Sequence, residues 1–378
     1  MKGYFRKRGD KWSFTVDIGI DPETGKRKQK TKSGFKTKKE AQTAAAALIT
    51  QLERGEYFEE KKITIKSFIE DWLENVARHN IKPSTFGGYK GTIHKRIIPA
   101  LGHYKLTDLK PPAINKFYNH LLKDENLSEE YVEYIHSILK TAFNTAVEWE
   151  YIRTNIFHKV KKPRRKKKEM QTWSFEEARC FLETIKDGKR HYYMLYLLAI
   201  YTGMRRGEIL GLRWSDINFE AGKLSIQRTL YYTKEQGIII QSTKNNHSAR
   251  TVSISDFVMS ELKQHRIWQI ERKLQFGVPY SEDGYIIANE KGGPLNPNYV
   301  YNHFSKAIKK ANVKKIRFHD LRHTHASLML LLGEHPKIVS ERLGHSSIEM
   351  TMNTYSHVTF DMQKESSDRF EKAFLQTN

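Results

Sequence analysis

The stretch Leu343-Gly344-His345-Ser346-Ser347-Ile348-Glu349-Met350-Thr351-Met352-Asn353-Thr354-Tyr355 decides how the rest of this chain is read. Gly344 has the place of a residue that ends one helix, His345 sits at its cap, and Tyr355 falls ten positions later on a following short helix. A phenol with an ordinary pKa of about 10 is a poor nucleophile at neutral pH. It becomes useful only beside a proton acceptor and a field of positive charge. The same half of the chain supplies Arg205, Lys244, His319 and Arg322, so with His345 there are five groups able to hold a phosphodiester around one phenol.

Composition narrows what such a site would act on. Over 378 residues, Lys+Arg 65 against Asp+Glu 43 gives a net charge of +22, which points to a polyanionic partner. A membrane surface is the competing polyanion. It loses because no amphipathic segment has a dedicated basic face and no lipidation signal stands out. Met1 to Lys11 lacks the apolar core of a secretory signal. The most apolar runs, Met194–Ile200 and Leu328–Leu332, fall short of the roughly 18 residues a span needs. A single cysteine, Cys180, excludes an internal disulfide framework and fits a reducing cytosol. The expectation is a cytoplasmic, nucleic-acid-facing protein.

The chain reads as multidomain α+β. Residues 1–57 carry strand composition in Trp12–Ile18, turn chemistry in Asp21-Pro22-Glu23-Thr24-Gly25, a polar strand in Lys26–Ser33, and an alanine-rich helix from Lys38 to Glu53 with Leu48, Ile49 and Leu52 on one side. Together they imply a small three-stranded sheet plus a helix. Within 1–39 there are 13 Lys/Arg against 4 Asp/Glu, a charge run that is either a solvated face or a groove-binding sheet with Phe5 and Trp12. Phe58–Ile63 reads as a short linker. Residues 64–160 are helical throughout: Ser84 after Pro83 is a candidate N-cap, Pro111-Pro112 opens a helix ending near Leu122, and Ser128 starts a long one to Trp149. The stripe Val132, Ile135, Ile138, Leu139, Phe143 and Val147 is core. From Lys159 to Lys168, eight of ten residues are Lys or Arg, a self-repelling linker for which nuclear localisation is the alternative. Ser174-Phe175-Glu176-Glu177 is a capping box opening the last domain, 171–378. That domain is mostly helical, with a small antiparallel sheet from strands near 223–232, 237–243 and 250–254. No internal repeat is visible.

Each candidate residue has a plainer alternative. Arg205 follows the Thr202-Gly203 turn at a helix start, where free N–H groups also favour an anion; a lone arginine there is ordinarily a surface residue. Glu208, three residues on, can orient its guanidinium, and Arg206 reads as solvent-facing or a DNA contact. Lys244, in Ser242-Thr243-Lys244-Asn245-Asn246, would project from a hairpin tip between a strand and its return, and from the residues alone it is a solubilising group. His319 and Arg322 are three apart on a helix and can face one ligand. His319 and His323 could instead pair on a metal, but no HExxH glutamate or Cys cluster completes a shell. Tyr355 is one of 19 tyrosines, and packing is the usual role.

Taken together, the boxes Thr202–Ile217, His319–Arg322 and Leu343–Val358 resemble those of tyrosine recombinases of the phage and conjugative-transposon integrase type. The resemblance implies an arm-site DNA-binding domain over 1–57, a core-binding helical domain over 64–160 and a catalytic domain over 171–378. It implies that Tyr355 attacks a scissile phosphate and forms a 3′-phosphotyrosine, with Arg205 and Arg322 on the non-bridging oxygens. His319 would move the phenolic proton, His345 would bond the phosphate, and Lys244 would protonate the departing 5′ oxygen. The bond is stored in the adduct, so no cofactor and no metal are expected. The partners implied are double-stranded DNA at core and arm attachment sites and three further protomers in a homotetramer. An excisionase and a DNA-bending host factor would assist, and the tail through Phe360, Phe370 and Phe374 would dock on a neighbour. A type IB-like topoisomerase or resolvase, and a DNA-binding regulator without catalysis, are the alternatives.

Overall fold

The computed structural model describes residues 3–20, 25–54, 57, 63–163, 170–233, 235–242, 249–276, 280–281, 283–345, 347–355, 367–368, 370–372 and 374–375, with the backbone alone at 84, 350 and 353–355. The chain divides into two compact units, Met1–Arg165 and Lys166–Asn378.

The first unit contains two separate hydrophobic cores. Strands β1 (Tyr4–Arg8), β2 (Lys11–Ile20) and β3 (Arg27–Phe35) form an antiparallel sheet in that order, followed by α1 (Lys38–Glu53). Phe14 and Val16, two apart on β2, point to the side covered by Ala41, Ala45 and Leu48. The buried stripe of α1 is therefore largely alanine, which lets helix and sheet approach closely, while Ile49 and Leu52 lie at its rim instead of at its centre. Thr37 closes a capping box with Glu40 at the helix start. The opposite sheet face pairs Arg6 with Ser13 and Thr15 with Tyr4 and Thr31, so it is polar and basic. Most of the expected turn at 21–25 and of the linker at 58–63 lies outside the described residues.

The second core belongs to helices. α2 (Ile65–Trp72) runs through a π-helical turn, Leu73–Ala77, into α3 (Arg78–Asn80). α4 (Pro83–Thr92) does the same through Ile93–Ile97 into α5 (Ile98–Leu101). Neither π turn had a signal in the sequence. α4 starts at Pro83 with Lys82 as its N-cap, so Ser84 is the second helical residue and not the cap: the proline's fixed φ suits the first position. α6 (Pro111–Lys123) and α7 (Glu129–Glu148) complete the set, with the Ser128 hydroxyl accepting from the Tyr131 N–H. The stripe from Val132 to Phe143 is buried and Val147 packs at its edge.

In the second unit, α8 (Phe175–Lys186) opens on the Ser174–Glu177 capping box. α9 (Arg190–Thr202) is buried nearly all round, the mark of a central helix. After α10 (Arg206–Leu210) come β4 (Ile217–Asn218), β5 (Lys223–Ile226), β6 (Arg228–Thr233), β7 (Gly237–Ser242) and β8 (Arg250–Ser253). The expected strand 223–232 is broken at Gln227, and its halves join different sheets: β4-β5-β8 and β6-β7. Among the described residues β7 pairs with β6 and β8 with β5, and residues 243–248, where a hairpin tip carrying Lys244 was expected, lie outside them. Helices α11 (Asp256–Phe276), α12 (Pro297–Ala311), α13 (Asp320–Leu331), α14 (Pro336–Leu343) and α15 (Ile348–Tyr355) follow. Among the described residues, no helix is long and apolar enough to cross a membrane.

Candidate active site

The site begins where α9 ends. Gly203 takes φ +64°, and a Cβ there would lie 2.6 Å from both the His325 ring and Leu343, so the turn is open only to glycine. This sharp exit sets Arg205 in extended backbone at the N-cap of α10. Arg205 Nη1 donates to Glu208 Oε1 at 2.8 Å and Nη2 to the Gly344 carbonyl at 3.3 Å. The backbone N–H of Arg205 also donates to Glu208 Oε2, at 3.0 Å. That cap amide is therefore taken from within, and an anion would have to meet the guanidinium, whose side chain remains 40% exposed. Arg206 is exposed and donates to the Pro297 carbonyl at 3.4 Å.

Glu208 is buried, and burial alone would raise its carboxyl. Arg250 and Arg205 outweigh that and hold it below the ordinary carboxylate range. Arg250 contributes Nη2 to Oε2 at 2.9 Å and Nη1 to Oε1 at 3.2 Å.

The start of α13 supplies the second pair. Asp320, buried, accepts from the Arg317 backbone N–H and from its Nη2, each at 2.8 Å, which fixes the turn that carries His319. His319 is exposed at the N-cap position and perpendicular to His323, ring centres 5.2 Å apart. Arg322, 3% exposed, reaches inward to the Gly203 carbonyl with Nη1 at 2.9 Å. Its charge therefore sits directly beneath the turn that positions Arg205. Although part of the His319 ring meets solvent, desolvation by the protein packed around the rest, then Arg322, lowers its pKa, against the pull of Asp320. His323 is lowered to about 4 by burial and its neighbour His319.

The third element is the end of α14. Gly344 caps it at φ +67°, and the His345 N–H returns to the Ser340 carbonyl at 3.0 Å. His345 Nδ1 meets the hydroxyl of Thr351 at 2.7 Å, and Thr351 is fully buried in α15. Burial, then Arg322 and Arg205, lower His345 to about 4, so its imidazole is neutral at pH 7. Arg205, His319, Arg322 and His345 are thus brought together around the two glycine turns. Lys244 lies outside the described residues; Tyr355 is the last residue of α15, one turn beyond Thr351, with its side chain outside them.

A supporting layer had not been singled out in the sequence. His325 Nδ1 faces the Ile200 carbonyl at 2.9 Å while Nε2 accepts from Arg342 Nε at 3.2 Å. Arg342 also donates to the carbonyls of Ser253 and Tyr201. Arg342 and Arg250 had no separate signal, because their partners are distant in sequence, whereas Thr351 meets His345 only six residues away. Among the described residues, no group of three His, Cys, Asp or Glu side chains is placed to hold a metal ion.

Comparison with known proteins agrees with this architecture. Residues 171–362 match the phage integrase family, 4–52 an arm DNA-binding domain, and 64–122 the N-terminal SAM-like domain of phage integrases. A XerC-like tyrosine recombinase of Caldanaerobacter subterraneus subsp. tengcongensis is 34% identical over 94% of both chains. The ICEBs1 integrase of Bacillus subtilis is 28% identical over 97% of this chain and 98% of its own. The Tn1549 transposon integrase, solved with a circular intermediate DNA, shares the fold at a TM-score of 0.69 and 23% identity, over 82% of this chain and 99% of that one. The chain belongs to the phage integrase family and is a tyrosine recombinase of the integrase type.

Proposed function

We propose that this recombinase cuts and rejoins duplex DNA at attachment sites of a mobile element through a 3′-phosphotyrosine on Tyr355, integrating and excising that element in the bacterial cytosol. The observation that carries the reading is the convergence of Arg205, His319, Arg322 and His345 on the junction of two glycine turns, on the same unit whose helix α15 ends at Tyr355. Arg205 and Arg322 would hold the non-bridging oxygens, where planar guanidinium forks match a phosphate that gains charge in the transition state. His319, held neutral near pH 7 by its surroundings, is fit to accept the phenolic proton and return it to the leaving tyrosine on religation. A Thr351 hydroxyl donating to Nδ1 would leave the His345 Nε2–H for a phosphate oxygen. Lys244 is assigned the proton delivered to the 5′ oxygen.

The bounds 1–57, 64–160 and 171–378 divide the chain into arm-binding, core-binding and catalytic parts. Exchange of two strands at each of two duplexes takes four active sites, hence a homotetramer on DNA. Two separate DNA-binding modules suit bridging of arm and core sites, with an excisionase and a DNA-bending host factor setting direction. A nicked suicide duplex tests the chemistry: the parent chain should form a covalent adduct and Tyr355→Phe none. Recombination between two candidate attachment sites distinguishes an integrase from a topoisomerase, which would relax supercoils without joining the sites.

A further inference from the structure

We infer that Arg250 is a positioning residue for Arg205: by sharing the Glu208 carboxylate, it leaves the charge of Arg205 available to a phosphate. The inference rests on the reading of Arg205 as a phosphate-holding group. Two guanidiniums surround one buried carboxylate, each oxygen of which accepts from both arginines. Were Arg205 the sole partner, the pair would be neutral and its outward field largely cancelled. With Arg250 present, the cluster keeps one net positive charge.

Exposure divides the labour between the two arginines. The Arg250 side chain is 8% exposed and commits Nε to the Arg342 carbonyl and Nη1 and Nη2 to Glu208, whereas the side chain of Arg205 is 40% exposed. Arg250 also ties the parts together. Its Nε donates to the Arg342 carbonyl at 2.8 Å, two residues before Gly344, whose own carbonyl receives Arg205 Nη2. It is the first residue of β8. Only a fixed fork of donors reaches a carboxylate and a carbonyl at once; a lysine would give up one of them.

The full chain tests this by single-turnover cleavage of two suicide duplexes, one with an ordinary scissile phosphodiester and one with a neutral methylphosphonate there. Arg250→Met should slow the first about 10²-fold, as loss of a transition-state donor does, with duplex affinity changed less than about threefold, or ~0.7 kcal/mol. On the methylphosphonate, which has no anionic oxygen to neutralise, the penalty should shrink to below about tenfold. Arg250→Lys, about tenfold slow on the phosphodiester, supplies the same comparison should Arg250→Met fail to fold, and thermal unfolding is recorded for both. Equal penalties on the two substrates, or parental rates beside a slow Arg205→Ala, would overturn the role of Arg250 alone. An Arg205→Ala variant as fast as the parent would overturn the phosphate-holding reading, and this one with it.

Discussion

Replacing Gly203 with alanine adds one methyl group at the turn on which the site depends. Two costs can be read from the structure. The residue sits at φ +64°, and moving an L-residue into that region costs roughly 1 kcal/mol relative to glycine. The new Cβ would also lie 2.6 Å from His325 Cδ2 and from Leu343 Cδ2, well inside van der Waals contact. His325 cannot yield freely, because both ring nitrogens are engaged and the residue is buried. Overpacking of that kind costs roughly 1–3 kcal/mol. The sum is about 2–4 kcal/mol, or a fall of about 4–16 °C in the unfolding temperature of a domain of this size. Gly237→Ala supplies the reference: φ is +69°, but nothing lies within 4 Å of the added Cβ. That variant should lose about 1 kcal/mol and only a few degrees. Differential scanning calorimetry of both variants makes the comparison. Equal shifts would refute the crowding of Gly203 against His325 and Leu343.

Acid should destabilise the second unit before its carboxylates titrate. His265 and His325 are buried and lowered to about 4 and about 3, so the folded state favours their neutral forms. Their contribution is complete above the unfolded value near 6.5 and is lost as pH falls toward 4 and 3, on the order of a few kcal/mol each; a urea midpoint that rises between pH 6.5 and 4.5 on acidification would contradict it. Cleavage should lose rate on the acid side with a midpoint below 6.5, the side to which His319 is shifted, and His319→Gln should remove that limb from the pH–rate profile. Thr351→Val deprives His345 of its partner in a buried setting and should cost roughly 1–2 kcal/mol in thermal stability while slowing cleavage, measured on the suicide duplex. DNA affinity should fall steeply between low and physiological salt in a filter-binding titration, through counterion release.

What the sequence disclosed follows from where the physical signal is local. The Ser174 capping box, the Ser128 cap and the period of α7 are written within a few residues, and the structure has them in place. Gly203 and Gly344 were legible as helix ends for the same reason. The break at Gln227 was not, since both flanking segments have strand composition and only their partners, β8 and β7, separate them. The π turns at Leu73–Ala77 and Ile93–Ile97 escaped because their residues fit an ordinary helix equally well. Arg250 stood beside Lys244 in plain view, yet its weight comes from Glu208 and the Arg342 carbonyl, which are distant along the chain.

The most direct measurement is the identity of the side chain that carries DNA after cleavage. Protease digestion of the adduct trapped on a nicked duplex, followed by mass spectrometry, should return a peptide with a 3′-phosphoryl nucleotide on Tyr355. A nucleotide on any other residue, or linkage through a 5′ phosphate, would contradict the account.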